Sequence, residues 1–251
     1  MPPSVSIVIP AYNEEARLTS TLERVTGYIA GKNFSFSEIV IVDDGSRDGT
    51  AALVERWQRD HPSIRLLRNP ENRGKGYTVR HGVLEARGEW ILSTDADLSA
   101  PIDELDRLLS AAERANAVVA IGSRALDRSL VGVHQSIFRE MSGRAFNVIM
   151  RAITGLPFRD TQCGFKLFRA GAAREIFSRQ RLEGFSFDVE DLVIAKTLGL
   201  NAIEVPVVWN NVEGTKVSTM AGLASFGALL GIRWRAITGQ YSRHLANHRQ
   251  K

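Results

Sequence analysis

WILSTDAD, residues 90–97, is a short apolar run followed at once by two aspartates. Trp90–Ser93 has the length and composition of a buried strand, and Asp95 and Asp97 stand one residue apart where it ends. If the strand bends out of its pleat there, both carboxylates can reach one divalent cation. Mg²⁺ and Mn²⁺ favour such oxygen ligands, usually together with water and a substrate diphosphate. A turn and helix cap before Pro101 would use the same residue types, so both interpretations stay open from this stretch alone.

On both sides of this stretch, short apolar runs alternate with helical spacing. The strand-like runs are Ser4–Ile9, Glu38–Val42, Ile64–Leu67, Trp90–Ser93 and Val118–Ile121. This alternation predicts an α/β fold with a mostly parallel sheet flanked by helices, and ligands of such sheets bind outside the carboxyl ends of the strands. Polar clusters stand at those ends: Pro10–Glu15, Asp43–Ser46, Asp95–Ser99 and Gly122–Arg124. Together they favour a ligand site at one edge of the sheet.

Composition narrows the class of protein. The chain of 251 residues carries a formal charge of +4, a mild excess that permits an anionic substrate or a membrane surface without requiring nucleic acid. Its one cysteine, Cys163, excludes an intrachain disulfide framework. MPPSVSIVIP lacks the pattern of a signal peptide, and Met220–Ile232 is too short to span a bilayer, which takes roughly 20 helical residues. We therefore expect a chain that does not cross a membrane by itself.

Two further loops are suited to a nucleotide. The basic loop Asn72–Gly76 precedes a helix, and its backbone amides and Lys75 suit an anion. Asp43 and Asp44 end a strand, where a carboxylate can accept a hydrogen bond from a base or a ribose, although Asp-Gly is also a usual turn signal. The basic loop is not a P-loop, because the GxxxxGK(S/T) pattern is missing. No GxGxxG pattern follows the first strand, which disfavours a dinucleotide-dependent dehydrogenase.

In this order the motifs resemble the family-2 inverting glycosyltransferases with a GT-A fold. The segments that carry the resemblance are SIVIPAYNEE, EIVIVDDGSRDGT, NRGKGYTVRHG, WILSTDADLSAP and AIGSR. Downstream, RDTQCGFKLF, FSFDVEDL and VEGTKV resemble the polyprenyl-phosphate branch, and they look closer to its glucosyl than to its mannosyl members. The resemblance implies a nucleotide-sugar-binding half over residues 1–124, an acceptor-binding half with interface helices over 125–241, and a polar tail over 242–251.

The resemblance also implies roles for the donor side. Pro10, Ala11, Tyr12 and Glu14 would line the nucleoside pocket, Asp43 would contact the base with Asp44 close by, and Lys75 and Arg80 would lie near the nucleotide. Asp95, Ala96 and Asp97 would contact the nucleotide sugar, with Asp95 and Asp97 holding Mg²⁺ or Mn²⁺. Ser99 stands where mannosyl members often have Gln, which leaves the third metal ligand open and disfavours mannose.

On the acceptor side, Arg124, Arg139, Ser142 and Lys216 would bind a lipid phosphate, since arginine forms bidentate bonds with phosphate. The expected reaction is inverting transfer of a hexose, with UDP-glucose the favoured donor and a polyprenyl or dolichyl phosphate the acceptor. An ionised phosphate needs little help from a base, whereas a sugar hydroxyl would need one, and Asp191 matches that position in hydroxyl-acceptor relatives. Arg124, Asp97 and Asp191 are therefore the catalytic candidates.

Two alternatives remain open. One is a hydroxyl-acceptor enzyme with another donor, such as GDP-mannose, and the other is a non-catalytic nucleotide-sugar-binding module.

A lipid acceptor requires an approach to a membrane. Ser136–Ile153 and Ser218–Tyr241 mix apolar residues with arginines, as interfacial helices do, although a helix that covers the core has the same pattern. We expect a peripheral protein on the cytoplasmic face of a membrane, with a membrane-embedded partner protein as a further hypothesis.

Overall fold

The computed structural model describes residues 2–130, 148–210 and 220–242. Within these ranges, one sheet of seven strands forms the centre of the molecule, in the order β3-β2-β1-β4-β6-β5-β7. The strands are β1 (Ser4–Ala11), β2 (Phe36–Asp43), β3 (Ile64–Arg68), β4 (Trp90–Ser93), β5 (Val119–Ser123), β6 (Lys166–Arg169) and β7 (Ala202–Pro206).

Helices lie on both faces of this sheet and follow most strands in sequence. They are α1 (Glu15–Ala30), α2 (Thr50–Asp60), α3 (Lys75–Glu85), α4 (Glu104–Arg114), α5 (helical residues 148–154), α6 (Ala170–Phe177), α7 (Phe187–Thr197) and α8 (Met220–Ile237). The strand–helix alternation predicted from the sequence is confirmed, and its parallel pairs are β1–β2, β2–β3, β1–β4 and β5–β7.

Successive side chains of the central strands point to opposite faces of the sheet, which divides the core into two layers. Ile7, Ile9 and Ile41 point to one face and pack in a cluster with α1 and α4, while Val8 and Val42 point to the other and pack with α3 and α7. All five side chains are fully buried. A parallel sheet buried on both faces needs apolar residues at consecutive positions, which is why β1 reads as an almost continuous apolar run.

β6 was not predicted from the sequence. It inserts between β4 and β5 and runs antiparallel to both, pairing Lys166 with Ser93 on one side and with Ile121 on the other. This reversal carries the RDTQCGFKLF segment into the middle of the sheet. The segment therefore meets the ends of β4 and β5, where the sequence analysis placed two of its polar clusters.

None of the helices in the described part of the chain is long and apolar enough to cross a membrane. Arg139, Ser142 and Lys216, which were predicted to bind the acceptor phosphate, lie outside the described residues. The same holds for most of the predicted helix Ser136–Ile153 and for residues 243–251 of the predicted tail.

Candidate active site

The carboxyl ends of three parallel strands meet at one edge of the sheet. Ala11 at the end of β1 pairs with Asp43 at the end of β2, and the Asp44 amide donates to the Ala11 carbonyl oxygen at 2.8 Å. On the other side of β1, the Thr94 amide donates to the Val8 carbonyl oxygen at 3.0 Å. The polar clusters after β1, β2 and β4 are therefore neighbours, as expected from the sequence.

The segment after β4 forms a tight turn that presents both aspartates. The Leu98 amide donates to the Asp95 carbonyl oxygen at 3.1 Å, and Leu98 adopts a left-handed conformation with φ of 46°. Thr21 of α1 donates its hydroxyl to the Ala96 carbonyl oxygen at 2.5 Å, and Asp97 accepts the Ser99 amide through Oδ1 at 2.9 Å. The turn interpretation of the sequence is thus correct for the backbone, and this turn holds the two carboxylates at the sheet edge.

Lys75 and Asp95 form an ion pair at this edge, with Lys75 Nζ 2.5 Å from Asp95 Oδ1. Burial alone would lower the pKa of Lys75, but the carboxylates of Asp95, Asp188 and Asp97 outweigh it and raise that pKa above its usual range. Burial likewise opposes ionisation of Asp95, yet the positive charge of Lys75 brings the pKa of Asp95 below its usual value. Both groups are therefore charged near neutral pH.

A divalent cation fits this donor set. Asp95 and Asp97 offer the hard carboxyl oxygens that Mg²⁺ and Mn²⁺ prefer, and both residues are only partly buried. The described residues contain no group of three or more His, Cys, Asp or Glu side chains that could hold a metal. Oxygens of a bound diphosphate and water would have to complete the coordination, as is usual for Mg²⁺ in nucleotide enzymes.

Asp44 organises the basic loop from within. It is buried and accepts three hydrogen bonds: from Asn69 Nδ2 at 2.7 Å, from the Arg73 amide at 3.0 Å and from the Gly74 amide at 2.9 Å. Gly74 has φ of 97°, a conformation that L side chains rarely adopt. Asp44 thereby shapes the loop that carries Lys75, while buried Asp43 accepts the Ser46 amide at 3.3 Å.

The loop after β1 is tied to the loop after β2. The Asn13 amide donates to Ser46 Oγ at 3.0 Å, and the Arg47 amide donates to Asn13 Oδ1 at 2.8 Å. The Glu14 amide donates to Thr50 Oγ1 at 2.9 Å. The predicted nucleoside-pocket residues therefore lie beside Asp43: Pro10 and Ala11 end β1, and Tyr12 and Glu14 follow it in the tied loop.

Arg124 follows β5 and is held by a carboxylate that the sequence analysis did not single out. Its guanidinium forms a bidentate pair with Asp160, at 2.7 Å from Nε and 2.8 Å from Nη2, and its amide donates to the same side chain at 3.0 Å. Burial opposes ionisation of Asp160, but Arg124 lowers the pKa of that carboxyl overall. The guanidinium also lies over the Trp209 ring, 4.8 Å from its centroid. Arg124 is thus oriented before any ligand binds.

Three buried carboxyls lie at the start of α7, those of Asp188 and Glu190 in its first turn and that of Asp191 directly after it. Asp188 pairs with the buried Lys166 of β6, whose ammonium also donates to the Cys163 carbonyl oxygen at 2.5 Å. Asp191 Oδ1 is buried and has no hydrogen-bond partner among the described residues. Burial, followed by the charges of Asp188 and Glu190, raises the pKa of Asp191 well above its usual value, although Arg80 is close enough to oppose the shift.

The structure thus brings Lys75, Asp95, Asp97 and the α7 carboxyls into one electrostatic neighbourhood, with Arg124 also close enough to act on Asp95. Lys166 and Asp160 belong to the same neighbourhood and were missed as individual residues. Both lie in the RDTQCGFKLF segment, whose charged residues among apolar ones were the available signal.

Comparison with known proteins gives the family. The model of glycosyl transferase family 2 matches residues 6–177. A dolichyl-phosphate beta-glucosyltransferase of Trichomonas vaginalis is 37% identical over 241 residues, covering 92% of this chain and 72% of the relative. The Homo sapiens dolichyl-phosphate beta-glucosyltransferase is 33% identical over 251 residues, covering 94% of this chain and 77% of the relative.

Among solved structures, the fold is similar to glucosyl-3-phosphoglycerate synthase from Mycobacterium tuberculosis in complex with Mn²⁺, UDP-glucose and phosphoglyceric acid. The TM-score is 0.64 at 15% identity, covering 97% of this chain and 81% of that one. At this identity the likeness concerns the fold, which is the expected GT-A arrangement. The chain is an enzyme of glycosyl transferase family 2, and its curated relatives are dolichyl-phosphate beta-glucosyltransferases.

Proposed function

We propose that the protein transfers glucose, with inversion, from UDP-glucose to a dolichyl or related polyprenyl phosphate, with Mg²⁺ or Mn²⁺ bound at Asp95 and Asp97. Two observations support the choice of substrates. The relatives that match most of this chain are named for transfer to dolichyl phosphate, and a protein of the same fold has been crystallised with Mn²⁺ and UDP-glucose.

The observation that carries the proposal is the Lys75–Asp95 ion pair beside Asp97 at the sheet edge. When bound, the cation would neutralise charge that develops on the departing diphosphate. The chain contributes Asp95 and Asp97 to orient that cation, and Lys75 adds a second positive charge within reach of the same phosphates. The basic loop, held by Asp44, fixes where this ammonium stands.

The acceptor step follows from the chemistry of a phosphate monoester. Its second pKa is about 6, so an oxygen is already ionised near neutral pH and can attack the anomeric carbon directly. The new carbon–oxygen bond forms as the bond to UDP breaks, and UDP departs with the electron pair. Arg124, oriented by Asp160 and Trp209, lies on this side as a candidate to hold the phosphate. Arg139, Ser142 and Lys216 stay predictions for the same task.

Asp191 favours a phosphate acceptor over a hydroxyl acceptor. A general base for a hydroxyl has to be ionised and within reach of the substrate. Asp191 is almost completely buried, and the shift of its pKa favours the protonated form. This supports a reaction without a base, in which the α7 carboxyls organise the acceptor side.

The same proposal includes a site of action at a lipid surface. Leu230, Trp234 and Ile237 form an exposed stripe on α8, spaced so that they share one helical face. Arg233 beside them is exposed, whereas Arg235 turns inward toward buried Glu190. The stripe suits peripheral contact with a cytoplasmic membrane face, either alone or beside a membrane-embedded partner. The division at residue 124 into donor and acceptor halves belongs to this proposal as well.

An acceptor assay tests the proposed function. Purified protein, UDP-glucose and MnCl₂ are incubated with dolichyl phosphate or with glycoside acceptors that offer only hydroxyls. We expect glucose to enter the lipid fraction, and we expect transfer to stop when EDTA removes the metal. Transfer to hydroxyl acceptors alone would instead favour the alternative reaction. UDP-glucose binding without any transfer would favour a binding module.

A further inference from the structure

Glu190 is a buried carboxylate whose two oxygens connect separate parts of the chain. It lies in the first turn of α7 and is 0% exposed. Its Oε2 accepts the amides of Arg181 at 2.9 Å and Leu182 at 2.7 Å. Its Oε1 accepts the Tyr241 hydroxyl at 2.7 Å and lies 3.8 Å from Arg235 Nη1. A buried carboxylate needs such partners, and these occupy both oxygens.

On one side, Glu190 holds a segment that is bonded to the basic loop. The Glu183 carbonyl oxygen accepts the Gly76 amide at 2.7 Å and the Tyr77 amide at 3.2 Å. Gln180 Nε2 donates to the Gly76 carbonyl oxygen at 2.9 Å. Residues 180–183, which we call the bridge segment, therefore fix the backbone on which Lys75 reaches Asp95.

On the other side, Glu190 holds the end of the C-terminal helix. Tyr241 follows α8 and is completely buried. Burial, followed by the negative charge of Glu190, raises the pKa of the Tyr241 phenol above its usual range, so the phenol keeps its proton and donates. Arg235 of α8 faces the same carboxylate. One side chain thus joins α8 to the bridge segment.

We propose that Glu190 is a positioning residue that couples the docking of α8 to the geometry of the donor loop. The connection runs from Tyr241 through Glu190 to the bridge segment, and from its Glu183 carbonyl to Gly76 and Lys75. A displacement of α8, the helix with the exposed apolar stripe, would loosen the loop that grips the donor. That this loop binds the donor rests on the proposed function, whereas the coupling between α8 and the loop does not.

Hydrogen exchange without any substrate tests the coupling itself. Tyr241→Phe removes only the hydroxyl, and loss of a hydrogen bond to a charged group should speed exchange of the Gly76 and Tyr77 amides about threefold or more. Glu190→Ala should speed it further. Glu190→Gln should lie between wild type and Glu190→Ala, because its amide oxygen can still accept both backbone amides, whereas the Tyr241 hydroxyl would have to turn and accept from its nitrogen. Glu89→Ala, which breaks an exposed ion pair with Arg169, is the control.

The proposal is overturned if Tyr241→Phe changes exchange only near residues 235–242. This variant decides the question even if Glu190→Ala does not fold. Binding of UDP-glucose with MnCl₂ then tests the consequence: affinity should fall about three- to tenfold in Tyr241→Phe. KM should rise by a larger factor than kcat falls in Tyr241→Phe and in Glu190→Ala, and Glu190→Gln should lie closer to wild type than Glu190→Ala in both constants. Equal losses of kcat in the Gln and Ala variants would show a chemical role instead. If wild type binds no UDP-glucose, the proposed donor fails while the exchange result still stands.

Discussion

At the scale of the residue, Asp97 offers the most direct test of the metal site. Asp97→Asn keeps an oxygen that can accept the Ser99 amide and removes only the negative charge. We expect metal-dependent kcat/KM to fall on the order of 10²-fold, because stabilisation of the departing diphosphate is weakened. The measurement is glucose transfer over a range of MnCl₂ concentrations, together with Mn²⁺ binding in the presence of UDP.

A matched variant separates this effect from a general loss of charge. Asp60→Asn removes a carboxylate from the exposed end of α2 and should leave both transfer and Mn²⁺ binding unchanged. Near-normal turnover of Asp97→Asn, with unchanged Mn²⁺ affinity, would contradict the assignment of Asp97.

Asp191 gives a prediction about stability and pH. Its pKa is raised in the folded state, so the folded protein keeps a proton that the unfolded chain releases above about pH 4. The unfolded state then binds fewer protons, and stability falls as pH rises from about 4 toward the folded pKa. Asp191→Asn should therefore gain stability relative to wild type across that window. Urea unfolding at a series of pH values measures the difference, and parallel pH profiles for the two proteins would disprove it.

Single residues also show what sequence can and cannot predict here. Asp95, Asp97 and Lys75 were identified because their types and neighbours indicate chemistry. The contact between Lys75 and Asp95 was not predictable, since Lys75 begins α3 after a loop whose course depends on Asp44 and on the Glu183 carbonyl. The bond between Glu190 and Tyr241 carries no signal in the sequence because the partners are 51 positions apart.

At the scale of the element, the start of α3 depends on close backbone approach. A Cβ on Gly76 would lie 2.7 Å from the Leu182 carbonyl oxygen and 2.8 Å from Phe187 Cβ, so the bridge segment would have to move. We expect Gly76→Ala to cost ~1–3 kcal/mol of stability, the usual range for overpacking, and to raise the KM for UDP-glucose. Thermal unfolding and steady-state kinetics measure the two effects.

Gly171→Ala provides the comparison on another helix. No atom of the part of the chain that the structure describes lies within 4 Å of a Cβ at this position in α6, so alanine should be neutral or stabilise by ~0.5–1 kcal/mol through its higher helix propensity. If both alanine variants behaved alike, steric contact with the bridge segment would not be what constrains Gly76.

The strands differ in how well the sequence predicts them. β1 to β5 were predicted because each is an apolar run next to a helical pattern, and this local pattern indicates strands without knowledge of tertiary contacts. β6 was missed because KLFR has a charged residue at each end and only two apolar residues between them, so it does not form an apolar run as β4 does. Its direction is set by tertiary pairing, which periodicity does not encode.

At the scale of the whole molecule, the two predicted halves share one sheet. β6 lies between β4 of the first half and β5, at the end of that half, while it comes from the second half itself. The sheet edge with Asp95 therefore has the residues proposed to bind the donor, from the ends of β1, β2 and β4, on one flank, and Arg124 with the α7 carboxyls on the other. A boundary drawn at residue 124 describes the proposed division of substrates and does not separate two folding units.

The surface of the whole molecule leads to a prediction about membranes. Trp234 on α8 is 65% exposed, with Leu230 and Ile237 on the same face, an apolar surface that water alone does not favour. We expect the protein to sediment with vesicles of phosphatidylcholine and phosphatidylserine, and Trp234→Glu to reduce the bound fraction because it puts a negative charge into the stripe facing anionic lipid.

Phe36→Glu, at an exposed site on β2, should bind as wild type does. Transfer to a short, water-soluble polyprenyl phosphate should survive in Trp234→Glu, since that acceptor needs no bilayer. Undiminished vesicle binding by Trp234→Glu would show that this face of α8 does not meet the lipid.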